Sequence, residues 1–135
     1  MTVVVDTGIL YALADADDAW HDRARAWMER GSGLLVVPLT VLPEVTYLLR
    51  TRLGSSVELA FVESVAAGEL EIEALCQSDL DRCCQVMERY PDVGFVDASL
   101  VAIAERLKVA SLATTDRRHF TSIVPKHVAR FELVP

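Results

Sequence analysis

Short apolar runs rich in β-branched residues alternate with helical segments along this chain, and no other feature constrains its fold as strongly. The runs at 2–6, 34–37, 70–74, 111–115 and 131–134 are predicted strands. Helices are predicted over 9–14, 20–30, 40–54, 55–68, 78–90 and from Asp97 onward. Strands that alternate with helices form parallel sheets, because each connection must cross back over the sheet. We therefore predict an α/β protein, with residues 1–135 forming a single three-layer α/β/α domain around a mostly parallel sheet of four or five strands.

Composition narrows the class of protein further. Hydrophobic residues make up 52% of the 135 residues, which is enough for a closed core and excludes a disordered chain. The longest uncharged stretch, Gly31–Pro43, is shorter than the roughly 20 apolar residues of a membrane span and contains two prolines. The first residues carry no basic lead of a signal peptide. We expect a cytoplasmic protein with no membrane partner.

Charge and cysteine content exclude two further classes. The formal net charge of −7 argues against a surface that coats nucleic acid, yet residues 106–130 carry six arginine or lysine side chains and a single acid. A local phosphate-binding face is compatible with that distribution. The three cysteines match neither a disulfide framework nor a zinc pattern, so we expect reduced, mostly buried thiols.

Four acidic residues occupy positions that are unusual for acidic side chains. Asp6 ends the first strand, Asp116 follows the strand at 111–115, Glu44 lies beside the buried stripe of its helix, and Asp97 begins the most regular amphipathic helix. Each alone has a structural explanation: a helix cap for Asp6 and Asp97, an arginine partner for Glu44, and a turn for Asp116. The carboxyl ends of parallel strands and the start of the following helices share one edge of the sheet, where such folds bind ligands.

Four carboxylates at one edge would repel one another unless a cation neutralised them. Because all the donors are oxygen atoms, the cation that they favour is Mg²⁺ or Mn²⁺ rather than zinc. The chemistry typical of such a site is phosphoryl transfer.

The four segments that carry these acids resemble the PIN-domain family and, within it, the VapC-type toxins of bacterial toxin–antitoxin systems. The segments are Val3–Thr7, Pro43-Glu44, Phe95–Leu100 and Thr114–Phe120. The resemblance implies a metal-dependent endoribonuclease that acts on an RNA substrate, is inhibited by a cognate VapB-type antitoxin protein and is usually a homodimer.

The same resemblance assigns roles residue by residue. It implies that Asp6, Glu44, Asp97 and Asp116 are the catalytic acids and hold the Mg²⁺ (or Mn²⁺), with Asp6 and Asp97 as its firmest ligands. A metal-activated water would hydrolyse the phosphodiester and leave 5′-phosphate and 3′-hydroxyl ends. Hydroxyls of Thr7 and of Thr114 or Thr115 would orient the acids. Arg117 and Arg118 would contact flanking phosphates, if they are not simply solvated, and His119 would be a spacer before Phe120 rather than a general base.

Three other functions share some of these sequence features. Asp6-Thr7-Gly8 is also the signature of aspartic proteases, but those sites need two copies of it in a β-rich fold. Phosphatases of the haloacid-dehalogenase type need a second acid two residues after the first, where this chain has Gly8. The remaining alternative is a non-catalytic PIN-like module that only binds protein or RNA.

Overall fold

Five short strands form the centre of the molecule, and every neighbouring pair is parallel. The computed structural model describes residues 1–135 and confirms the predicted parallel sheet, with five strands. In chain order they are β1 (Thr2–Val5), β2 (Leu34–Pro38), β3 (Glu71–Glu73), β4 (Ser111–Ala113) and β5 (Glu132–Val134). Their order across the sheet is β3-β2-β1-β4-β5.

Seven helices cover the two faces of this sheet. They are α1 (Thr7–Ala14), α2 (His21–Glu29), α3 (Val41–Leu53), α4 (Ser55–Ala66), α5 (Gln77–Arg89), α6 (Phe95–Leu107) and α7 (Arg117–Ser122). The chain moves outward from β1 to β3 and then returns to β4 on the other side of β1, so right-handed crossovers place α1–α4 on one face and α5–α7 on the other. Contacts of α1 with α2 and α3, and of α5 with α6, agree with that arrangement. None of the helices combines the length and apolar character that crossing a membrane requires.

The centre of the sheet is the most deeply buried part of the fold. Val3, Val4 and Val5 of β1 are fully inaccessible to solvent because β1 has a strand on either side and helices on both faces. Helix α6 packs against β1 and β2, and its residues from Ala98 to Glu105 are all buried. Residues at the ends of β1 and α6 are therefore held on a rigid base.

The direction of the strand order reverses between β1 and β4, which creates a crevice at their carboxyl ends. Val5 lies opposite Ala113, and the backbone N–H of Asp6 donates to the carbonyl of Ala113 at 2.9 Å. Thr114 continues the pattern by donating its N–H to the carbonyl of Val134 at 3.0 Å. Asp6 and Thr114 consequently leave the sheet side by side.

Several predicted boundaries are wrong by a few residues. Strand β4 ends at Ala113 and not at residue 115, so Asp116 does not follow the strand directly. Helix α7, which begins after Asp116, was not predicted. Helix α6 begins at Phe95 with Gly94 as its N-cap, which makes Asp97 the third helical residue and not the cap. The cysteine prediction also needs correction, because Cys83 alone is buried while Cys76 and Cys84 are exposed.

Candidate metal centre

Asp6 occupies the innermost position of the crevice. Only 6% of the residue is exposed, and it caps α1 by accepting a hydrogen bond from the Thr7 N–H at 2.7 Å. Its second carboxylate oxygen accepts from the Thr114 hydroxyl at 2.9 Å. Asp6 can therefore cap the helix and bind a metal ion at the same time. Each of its carboxylate oxygens accepts one hydrogen bond and keeps a lone pair free.

The three threonines behave differently around this acid. Thr114 links two of the acidic residues, because its hydroxyl donates to Asp6 and accepts the N–H of Asp116 at 2.9 Å. The Thr7 hydroxyl is buried without a hydrogen-bond partner in the protein, so a water molecule or a ligand would have to satisfy it. The Thr115 side chain lies directly against Gly8, where any Cβ would collide with it. The glycine of the Asp-Thr-Gly sequence therefore has a packing reason in this fold.

Asp97 and Asp116 meet at the side chain of His119. The Nδ1 atom of His119 lies 3.3 Å from Oδ2 of Asp97 and 3.0 Å from Oδ2 of Asp116. Asp116 is also the N-cap of α7 and accepts the N–H of His119. One donor atom from each of these three residues lies within 4.8 Å of the others, which is close enough for a shared metal ion.

His119 is the residue that sequence reasoning undervalued. The family resemblance implies a spacer at this position, and the sequence pattern predicts no helix after Asp116. In helix α7, His119 stands three residues after the Asp116 cap, and this spacing brings the two side chains together. The signal that could have revealed it is the capping aspartate followed by the buried Phe120 four residues later.

Glu44 lies in the first turn of α3 and faces outward more than predicted. The buried residues of α3 are Val41, Val45 and Leu49, whereas Glu44 itself is exposed. No arginine pairs with it: the arginine ion pairs of the fold go to other acids. Its charge nevertheless contributes to the pKa values of both Asp6 and Asp97, so Glu44 belongs to the same electrostatic group.

We refer to Asp6, Glu44, Asp97 and Asp116 as the acidic cluster. Burial raises the pKa of Asp6 to about 6, and the neighbouring charge of Asp97 adds to the increase against the opposing hydrogen bonds of Thr114 and Thr7. Burial also raises the pKa of Asp97, with Asp116 and Glu44 adding to the increase and His119 opposing it. A bound cation would reverse this repulsion, and the predominance of carboxylate oxygens suits a hard divalent ion.

Other buried acids in the fold show what a purely structural carboxylate looks like. Asp79 binds Arg106 through a forked contact, with nitrogen–oxygen distances of 3.0 and 3.1 Å from Nε. Glu105 is bound by two nitrogens of Arg82, with Nε donating to Oε1 at 2.6 Å and Nη2 donating to Oε2 at 3.0 Å. Burial works against the charge of these two acids, but their arginine partners bring the pKa of each below its ordinary value. The acidic cluster has no arginine partner of this kind, which distinguishes it from a structural ion pair.

The two arginines predicted to contact RNA differ in their environment. Arg117 stacks over Trp20 and donates to the backbone carbonyls of Leu133 and Pro135, so its guanidinium is committed within the protein. Arg118 is exposed and lines a cleft of about 320 Å³ beside His119, together with Arg89. Arg118 is therefore the one that remains available to a phosphate.

Comparison with known proteins links this geometry to a family. The PIN domain model matches residues 3–124. Ribonuclease VapC26 of Mycobacterium tuberculosis (strain ATCC 25618 / H37Rv) is 30% identical over 98% of this chain and 100% of its own length. The crystal structure of Mycobacterium tuberculosis VapC20, described as a Sarcin-Ricin loop cleaving toxin, matches with a TM-score of 0.80 at 22% identity, over 87% of this chain and 92% of that one. A toxin–antitoxin complex from Klebsiella pneumoniae matches with a TM-score of 0.71 at 20% identity, over 90% and 92% of the two chains.

Proposed function

Because this chain belongs to the PIN-domain family, as a VapC-type toxin endoribonuclease, we propose that the acidic cluster is its catalytic site and holds Mg²⁺ or Mn²⁺. The observation that carries this proposal is the grouping of acids without arginine partners at one end of the sheet: Thr114 links Asp6 to Asp116, and Asp116 lies with Asp97 and His119 within 4.8 Å. The raised pKa of Asp6 agrees with this arrangement. A protein that keeps uncompensated carboxylates at the carboxyl edge of its sheet loses stability by doing so, and a cation is what offsets that loss. The geometry is thus better explained by catalysis than by structure.

The four acids of the cluster have different proposed roles as metal ligands. Asp6 and Asp97 are the proposed principal ligands, since both are partly or fully buried and the charge of Asp97 raises the pKa of Asp6. The ligand atoms within 4.8 Å of one another belong to Asp97, Asp116 and His119, so an ion bound there would also have to draw in Asp6. Glu44 and Asp116 would complete the site directly or through water. When bound, the cation supplies Lewis-acid charge that makes a water molecule more acidic and offsets the negative charge developing on the phosphodiester.

The protein side chains then account for positioning. Thr114 fixes the carboxylate of Asp6, and Nδ1 of His119 contacts the carboxylates of both Asp97 and Asp116. We assign to Arg118 a contact with a phosphate next to the scissile one, because its guanidinium is exposed beside His119. Attack of water in line with the leaving 3′ oxygen would give 5′-phosphate and 3′-hydroxyl products, as the family resemblance implies.

Removal of the divalent cation tests the metal requirement. We expect RNA cleavage by the purified chain to stop in excess EDTA and to return when Mg²⁺ or Mn²⁺ is added beyond the chelator, because the chelator removes the hard cation that the carboxylate oxygens favour. The measurement is gel-resolved cleavage of single-stranded RNA across a metal titration, with the product ends mapped. Cleavage that continues undiminished in excess chelator would disprove the metal site. Metal-independent RNA binding without any cleavage would instead support the non-catalytic module.

A cognate antitoxin is the proposed protein partner, and an apolar groove offers it a docking surface. The groove lies between α1, α2 and α4, encloses about 400 Å³ and is lined by Leu13, Met28, Val57, Phe61 and Leu70 among others. Eight of its ten lining residues are hydrophobic, which suits an apolar helix of a partner. We propose that the antitoxin also places a basic side chain against the acidic cluster. We propose that this chain itself acts in the cytoplasm.

A charged residue in this groove should release the antitoxin. Ala60 lines the groove and is exposed, so Ala60→Arg places a charge there with little effect on the fold. We expect binding of the cognate antitoxin to weaken by at least about 10-fold, the scale of one disrupted interface hot spot. Ala66→Arg, at the exposed end of the same helix and outside the groove, is the matched control. Equal retention of the partner by both variants in co-purification would place the contact elsewhere.

A homodimer is proposed on the resemblance alone. Light scattering of the purified chain measures the oligomeric state directly.

A further inference from the structure

An open shelf of aromatic surface borders the acidic cluster on the side of Glu44. The space above it measures about 560 Å³ and is lined by Thr40, Pro43, Glu44, Tyr47, Phe95 and Val96. Tyr47 is 67% exposed and Phe95 is 44% exposed, which is unusual for rings of this size. We call the surface formed by the rings of Tyr47 and Phe95, together with Pro43, the aromatic shelf.

Both helices that carry the shelf also carry an acid of the cluster. Tyr47 stands three residues after Glu44 on α3, so the two side chains lie on the same side of that helix. Phe95 is the first residue of α6, two positions before Asp97. A group that rests on the shelf is consequently held next to the reacting phosphate if the acidic cluster is the catalytic site.

The chemistry of the shelf suits a nucleobase and not a phosphate. No arginine, lysine or histidine lines it, and the one charged side chain, Glu44, is an acid that repels phosphate. The cleft beside His119 has the opposite character, because Arg89 and Arg118 line it. An RNA strand that crosses the acids would therefore meet cations at one border of the cluster and aromatic rings at another.

We propose that the aromatic shelf receives an unpaired base of the RNA substrate, next to the scissile phosphate, by stacking on Tyr47 and Phe95. This inference rests on the proposed catalytic role of the acidic cluster and adds to it a site that positions the strand. Stacking on aromatic side chains is how proteins hold single-stranded bases with little dependence on sequence, because every base presents a π face. The site would thus select for unpaired RNA at the point of cleavage.

The test compares RNA with and without bases. Binding is measured by fluorescence anisotropy for single-stranded oligo(A), oligo(U) and a ribose-phosphate oligomer of equal length without bases. All variants are made in an Asp97→Asn background, so that the strand is not cut. Tyr47→Ala and Phe95→Ala should weaken binding of oligo(A) by roughly 5- to 100-fold, the range for loss of one base–aromatic stack, and should leave binding of the base-free oligomer unchanged. Tyr47→Phe keeps the ring and should bind oligo(A) as well as the parent does.

Leu59→Ala is the matched control, because Leu59 is an apolar side chain that is 58% exposed, between Phe95 and Tyr47, and does not line the shelf. Equal binding of oligo(A) by the Tyr47→Ala, Phe95→Ala and Leu59→Ala variants would overturn the shelf. So would an equal loss for RNA with and without bases. If the alanine variants instead change from dimer to monomer by light scattering and keep the base dependence, the shelf is a contact with a second copy and the proposal is wrong.

The failure of this inference can be told apart from failure of the proposed function. Cleavage of RNA by the wild-type chain, measured separately with Mg²⁺ or Mn²⁺, tests the acidic cluster without reference to Tyr47 or Phe95. A chain that cleaves RNA and shows no base-dependent loss in the shelf variants keeps its proposed function and lacks the stacking site. A chain that neither cleaves nor binds RNA loses both.

Discussion

Replacing Asp97 by asparagine should abolish RNA cleavage while the protein remains folded. The carboxylate of Asp97 contacts His119, and it does not cap α6, whose N-cap is Gly94. Asparagine has nearly the same shape but carries no charge, so it is a poor ligand for a hard cation. We expect the rate of cleavage to fall by roughly 10²- to 10³-fold or more, the size typical of removing one electrostatic group from a catalytic site.

Asp81→Asn provides the matched control for this substitution. Asp81 is exposed on α5 and makes no hydrogen bond or ion pair through its side chain, so this variant should cleave RNA at the wild-type rate. Circular dichroism should show the same helix content for both variants. Wild-type cleavage by Asp97→Asn at saturating Mg²⁺ would contradict the proposed role of Asp97. Loss of the helical signal would show that Asp97 is needed for the fold instead.

The sheet could be predicted from the sequence because its strands are short, apolar and bounded by clear turn residues. Three consecutive valines in β1 have no polar face, which is possible only for a strand that is buried on both sides. Alternation with helices then fixes parallel pairing and right-handed crossovers. These rules act on single elements and their order, so they do not depend on the details of packing.

Predictions about individual side chains failed where two distant elements decide the environment. Glu44 was expected at the core boundary, but the packing of α3 against α1 and β2 turns it outward. Asp79 was not singled out, yet it is 2% exposed because Arg106, on the neighbouring α6, reaches it. Periodicity describes which face of a helix is apolar. It does not describe which charged side chain the next helix will bring opposite.

The short helix α7 could not be predicted from the sequence, for a different reason. Its six residues are mostly polar and carry no repeating apolar stripe, so the periodicity that reveals a longer helix is absent. The helix is defined by a cap at Asp116 and by one buried ring, Phe120. Missing α7 meant missing the placement of His119 between two acids.

Without divalent cations, the folded protein should lose stability as the pH rises from about 4 to about 6. Burial and the charge of Asp97 raise the pKa of Asp6 to about 6, against an ordinary value near 4 in the unfolded chain. An acid with a higher pKa in the folded state binds its proton more tightly when folded, so its ionisation favours unfolding. The penalty is absent below pH about 4, grows through this window and is complete above it, where it amounts to about 3 kcal/mol.

The pH range from about 4 to about 6 distinguishes the ionisation of Asp6 from that of the acids in structural ion pairs. The pKa values of Asp79 and Glu105 are lowered by their arginine partners in spite of burial, so their stabilising contribution is complete above an ordinary pKa of about 4 and is lost only as the pH falls below it. A decline between pH about 4 and 6 is therefore a signature of the acidic cluster.

Thermal melts at several pH values, with and without Mg²⁺ or Mn²⁺, measure the effect. At pH 7 the cation should raise the melting temperature of the wild-type chain by mass action, because it binds the carboxylates of the folded protein and offsets the repulsion between them. Asp97→Asn removes the charge that adds to the pKa shift of Asp6, so this variant should melt higher than wild type without metal, show a shallower decline with pH and gain less from the cation. The Asp81→Asn control should follow wild type throughout. Melting temperatures that stay level between pH about 4 and 6, together with no response to the cation, would mean that these carboxylates are stabilised by the protein itself and are not held ready for a metal ion.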